Sequence, residues 1–136
     1  MKLPEHLQQT LRAAVDRIIP ADEYPSAWDA GVGNYLERQF EKDLLPFFAD
    51  YRAGLTSLEA ESIKRFERSF VSLADKEQDE ILADVEVGEV RTEWEVAPRV
   101  FFKLLAETTA EGFYSEPEQG GNRDHVSWSM IGFESN

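Results

Sequence analysis

No cysteine occurs among the 136 residues, which excludes disulfides, thiolate-held zinc, iron–sulfur clusters, CxxCH haem attachment and cysteine nucleophiles. Histidine is almost as scarce. His6 and His125 are the only two, and neither follows a Glu by three residues, as a di-iron helical bundle requires; those positions hold Leu3 and Asn122. Neither GxGxxG nor GxxxxGK[ST] is present, so no standard dinucleotide or phosphate loop exists in the chain. Basic residues are few. Fourteen Lys and Arg face 27 Asp and Glu, a net charge of −13, which opposes both phosphate neutralisation on nucleic acid and docking on anionic lipid. No apolar run approaches the roughly 18 residues of a membrane span. The N-terminus lacks a basic region followed by an apolar one, and lacks a twin-arginine pair.

What is present is one domain's worth of core-forming sequence, 42% hydrophobic and 12% aromatic. Leu7, Leu11, Ala14, Val15, Ile18 and Ile19 recur at helical spacing before Pro20. A second helix is expected from about 26 to 42, with Val32, Tyr35, Leu36 and Phe40 on one side. Gly31 and Gly33 fall inside it, which demands either close approach of a neighbour or a break near 31. Pro46 suits the first turn of a long third helix, expected to be central, carrying Phe48, Tyr51, Leu55, Leu58, Ser62, Ile63, Phe66 and Phe70. Asp75 reads as an N-cap with Gln78 three residues on, opening a helix that buries Ile81, Leu82 and Val85 and stops at Gly88. After a loop, Pro98 opens a last helix with Val100, Phe101, Leu104, Leu105 and Thr108 inward, closing at Gly112. The fold class is therefore all-α: residues 1–136 as a single domain of about five helices, with 113–136 as an irregular C-terminal segment.

The acids cluster. Nine lie between Asp75 and Glu95, offset only by Lys76 and Arg91; such a run reads as a solvated helix face or as an electrostatic surface for a basic partner. The segment from Phe113 to Phe133 couples the turn-forming Gly120, Gly121 and Asn122 with Tyr114, Trp128, Met130, Ile131 and Phe133. Aromatic residues in an irregular stretch must pack on their own bundle or on another protein. Arg123 beside Asp124 offers a planar fork that serves equally as an internal staple or as an interface anchor. His125 with Ser127 and Ser129 lies too close in sequence for a triad and lacks a nucleophile elbow, so no catalytic residue is assigned.

Three segments carry a family resemblance: LRAAVDRIIPADEYPSAWDAGVGNYLERQ (11–39), SLADKEQDEIL (72–82) and FFKLLAETTAEGFYSEPEQGGNRDHVSWSMIGF (101–133). Together they resemble the small subunit called gluconate 2-dehydrogenase subunit 3. The resemblance implies a noncatalytic accessory subunit with no cofactor or metal of its own. Its partner would be a FAD-binding large subunit of the glucose–methanol–choline class, oxidising gluconate, a glucoside or a related sugar, with a cytochrome subunit often taking the electrons. Tyr114, Gly120, Gly121, Asn122, Arg123, Asp124, Trp128 and Met130 are then the expected partner-binding residues. Several relatives begin with a twin-arginine leader and this sequence does not, which implies a cytoplasmic chain, periplasmic only if the partner carries the export signal. The competing readings are a free-standing hydrolase or isomerase using His125, Asp124 and Glu residues in a bundle cleft, and a self-associating helical scaffold without a flavoprotein.

Overall fold

The computed structural model describes residues 2–21 and 25–115. Five helices make up the described part: α1 (Glu5–Ile18), α2 (Val32–Gln39), α3 (Phe48–Phe66), α4 (Asp75–Val87) and α5 (Pro98–Ser115). Short 3-10 turns at Leu45–Phe47 and Phe70–Ser72 lead into α3 and α4, and no strand occurs among the described residues. The all-α class is as the periodicity requires.

The first helix behaves as its stripe dictates. Leu7, Leu11, Ala14 and Val15 are buried and Ile18 and Ile19 partly so, while Pro4, with φ −59°, supplies the carbonyl that receives the Leu7 and Gln8 amides. His6 is exposed in the first turn. Beyond Ile18 the chain folds back on α1: Ala27 N–H donates to Ile19 O (2.9 Å) and Trp28 N–H to the Asp16 carboxylate (2.8 Å).

The second helix is shorter than the expected 26–42. It starts at Val32 because buried Gly31 adopts φ 103°, a left-handed conformation that breaks the helix. Gly33 is inside the helix, where a Cβ would come within 2.6 Å of the Trp28 ring. Of the two explanations for this pair of glycines, Gly31 is the break and Gly33 the close approach.

In α3, Phe48, Tyr51, Leu55, Leu58 and Ser62 are buried as expected, but Ile63 is 54% exposed; adjacent to Ser62, it falls on the outer side of the helical turn. Pro46 lies in the preceding 3-10 turn. Glu67, with φ 59°, ends the helix, so Phe70 is buried from the following turn rather than from α3. The cap of α4 lies one residue earlier than the Asp75 reading. Ala74 is the N-cap and its amide donates to the Glu77 carboxylate (3.0 Å), while Gln78 is buried with its amide donating to Phe70 O (2.8 Å). Gly88, at φ 81°, ends α4 as expected.

The last helix, not α3, is the centre of the bundle: α5 packs against α1, α2, α3 and α4. It continues past Gly112 to Ser115, because Gly112 sits against the Tyr35 ring, where a Cβ would approach within 2.8 Å. Phe113 and Tyr114 are thus helical and buried, and the irregular segment cannot begin at 113. Val100, expected inward, is 54% exposed. The neighbouring Phe101 takes the inward position.

Candidate interaction surface

Of the residues singled out for partner binding, Tyr114 alone is among those described. It is 2% exposed, with its ring edge-on to Phe113 at 5.1 Å between centroids. Gly120, Gly121, Asn122, Arg123, Asp124, Trp128 and Met130 lie outside the described residues, as do His125, Ser127 and Ser129.

The most elaborate polar cluster among the described residues is not disclosed by apolar periodicity alone. Glu61, in the third helix, is wholly buried. Its carboxylate accepts from the Thr92 hydroxyl (2.6 Å), the Arg91 N–H (2.7 Å), the Arg65 guanidinium (2.9 Å) and the Trp94 indole (3.4 Å). Arg65 also donates to Asp84 on α4 (2.8 Å) and to Glu89 O (3.1 Å). Glu61 and Arg65 together therefore tie α3, α4 and the loop before α5 to one another. Burial pushes the Glu61 carboxyl upward, but the bonds from Thr92, Arg91, Arg65 and Trp94 outweigh it and hold the group below its ordinary range. A detectable signal existed. Glu61 follows Leu58 by three residues, on the buried register of α3.

This cluster has the character of a structural clamp, since every acceptor position is filled by the chain's own donors. A second buried polar pair lies between α3 and α5. The Tyr51 hydroxyl meets Thr108 Oγ1 in the core, and burial pushes the phenol pKa up. Among the described residues no group of three His, Asp or Glu is arranged to hold a metal ion, and no helix is long and apolar enough to cross a membrane.

The acidic stretch is mostly outward. Asp75, Asp79, Glu80, Glu86, Glu89, Glu93 and Glu95 are exposed and Glu77 and Asp84 half-buried. Part of it is neutralised internally: Arg17 at the end of α1 grips Asp79 with two bonds (2.7 and 2.9 Å) and reaches Asp75 at 3.3 Å, and Arg68 pairs with Glu77 at 3.2 Å. The Arg17 guanidinium holds the Asp79 carboxyl below its usual range.

The surface with the composition of an interface is elsewhere. A groove of about 340 Å³ runs between the 3-10 turn at 45–47 and α5, lined by Leu44, Phe47, Val100, Leu104 and Thr108 with Asp50, Lys103, Glu107 and Glu111 at its polar margin. Phe47 is 45% and Val100 54% exposed. Large apolar side chains held this far into solvent around one concavity are characteristic of protein docking sites.

Against known proteins, a family model described as gluconate 2-dehydrogenase subunit 3 matches residues 5–134, nearly the entire chain. No curated protein and no solved structure gives a significant match.

Proposed function

The chain belongs to the gluconate 2-dehydrogenase subunit 3 family, and from that premise we propose that it is a noncatalytic small subunit binding a FAD-dependent large subunit of the glucose–methanol–choline class. The large subunit would hold the flavin and oxidise a sugar or sugar acid, with a cytochrome subunit able to complete the electron path. The single observation that carries this reading is the extent of the family match, which takes in the bundle and, through residue 134, the aromatic C-terminal segment.

The role that physical chemistry gives such a subunit is stabilisation by mass action. A partner that binds only the folded large subunit raises its stability by about 4 kcal/mol when the free concentration is about a thousand times the dissociation constant. In this reading the C-terminal segment supplies the specific anchors, an aromatic and a guanidinium, the residue types that dominate interface energetics. Arg123→Ala and Trp128→Ala are each expected to weaken the complex at least tenfold while shifting the thermal midpoint of the isolated chain by less than about 3 °C, or roughly 1 kcal/mol. Titration calorimetry and differential scanning calorimetry give the two numbers. Unchanged affinity, or a collapse of the isolated chain's stability, would assign the two residues to an internal staple instead.

A further inference from the structure

We infer that the groove formed by Leu44, Phe47, Val100 and Leu104 is a second docking site for the large subunit, and that it accepts an apolar side chain flanked by Lys or Arg. This rests on the subunit reading and extends it to a surface remote from the segment 120–130 in sequence.

Two features distinguish the groove from incidental exposure. The first is preorganisation. Leu44 and Phe48 are buried, with Phe48 edge-on to Phe40 at 5.2 Å, and they flank Leu45 and Phe47, which are 46% and 45% exposed. Pro46 sits between the exposed pair, fixing its own φ, and the turn is closed by Leu45 N–H to Lys42 O (3.2 Å) and Phe47 N–H to Leu44 O (2.9 Å). The exposed side chains are thus carried on a backbone pinned from beneath, so little backbone ordering remains for binding. Val100, in the first turn of α5, the hub of the bundle, lines the groove together with Phe47.

The second feature is charge, and it selects the occupant. The margin holds three carboxylates, Asp50, Glu107 and Glu111, against one ammonium, Lys103, which lies 3.9 Å from Glu107. A second copy of this chain would bring the same acidic margin against itself across a two-fold axis. The chain's own residues 116–136 carry Glu116, Glu118, Asp124 and Glu134 against Arg123 alone, again like charge. A basic-flanked apolar segment of the partner is complementary in both respects.

The test uses the tagged full-length chain purified together with its flavin-bearing dehydrogenase, identified by flavin absorbance and sugar-dependent dye reduction. Phe47→Asp and Val100→Glu are expected to reduce the co-purified flavin at least tenfold without moving the melting temperature of the isolated chain, because both side chains are exposed. Ile63→Glu, on the outer side of α3, should leave the yield unchanged. The complex should also loosen as ionic strength rises. Because the chain has no native thiol, Phe47→Cys gives a clean footprint: rapid maleimide labelling in the free chain and strong protection in the complex.

Wild-type flavin yield in both charge variants overturns the groove assignment and leaves the subunit reading intact. No flavoprotein with the wild-type chain overturns both. Slow labelling of Phe47→Cys in the free chain means that the chain's own C-terminal segment or a second copy covers the groove, which also overturns the assignment.

Discussion

Glu61→Ala is expected to destabilise the chain by about 3 kcal/mol and to lower its unfolding midpoint by roughly 10 °C. The substitution removes the acceptor shared by Thr92, the Arg91 N–H, Arg65 and Trp94. Removing one member of a buried network costs more than the lost bonds, because the others are left desolvated without a partner. Arg65 retains Asp84 and Glu89 O, which places the effect at the lower end of the range for broken buried pairs. The loop from Glu89 to Ala97 should loosen first, since Trp94 loses a hydrogen bond and its packing on Phe101, 5.9 Å between centroids, is no longer fixed.

The pH dependence follows from the direction of the Glu61 shift. Its carboxyl is held below the ordinary range in the folded chain, so the unfolded state takes up the proton first as pH falls. The clamp's contribution is then complete above the unfolded carboxylate range, about pH 4 to 5, and is lost as pH falls through the lower folded value. The stability difference between wild type and Glu61→Gln should be constant from pH 6 to 8 and shrink below about pH 4. A variant within about 0.5 kcal/mol of wild type at pH 7 would contradict the clamp.

Phe101→Ala is expected to cost about 4 kcal/mol, a large share of the roughly 5–15 kcal/mol that holds a domain of this kind folded. The ring is fully buried at the α3–α5 crossing, edge-on to Tyr51 at 6.2 Å and tilted against Trp94. It is seated directly on Gly54, where any Cβ would overlap the ring. Gly54→Ala should therefore destabilise the wild-type chain by about 2 kcal/mol through overpacking, despite a helix-propensity gain of about 1 kcal/mol. In the Phe101→Ala background the clash is gone, and the same Gly54→Ala change should become stabilising. A denaturant-based double-mutant cycle reads this as a coupling well above 1 kcal/mol. Additive effects would show that Gly54 is not required by the close approach of Phe101.

The periodic stripes of α1 and α4 were legible because buried positions recur at three and four residues and end at Pro20 and Gly88. Gly31 and Gly112 look alike in sequence, but only Gly31 breaks a helix, since its role is a positive φ while that of Gly112 is contact with Tyr35. That difference is tertiary and cannot be read locally. Ile63 and Val100 are apolar yet exposed, and apolar residues next to a buried stripe are easily counted into it. Glu61 was missed for the opposite reason: a carboxylate in a long helix reads as solvated until Thr92, Trp94 and Arg65 are seen to converge on it. For the partner-binding residues the position is different. Tyr114, expected at an interface in an irregular stretch, is instead a buried aromatic in the last turns of α5, while Gly120, Gly121, Asn122, Arg123, Asp124, Trp128 and Met130 fall outside the described residues.

Affinity purification of the tagged chain from its native cells, with the eluate read for flavin absorbance and for a co-eluting protein several times its size, decides whether the chain is a flavoprotein subunit. A subunit of this kind brings down a yellow, stoichiometric complex whose large component reduces a dye in the presence of a sugar or sugar acid. A colourless eluate holding only this chain, or this chain bound to itself, in cells that produce a flavoprotein dehydrogenase of the glucose–methanol–choline class, would contradict the subunit reading.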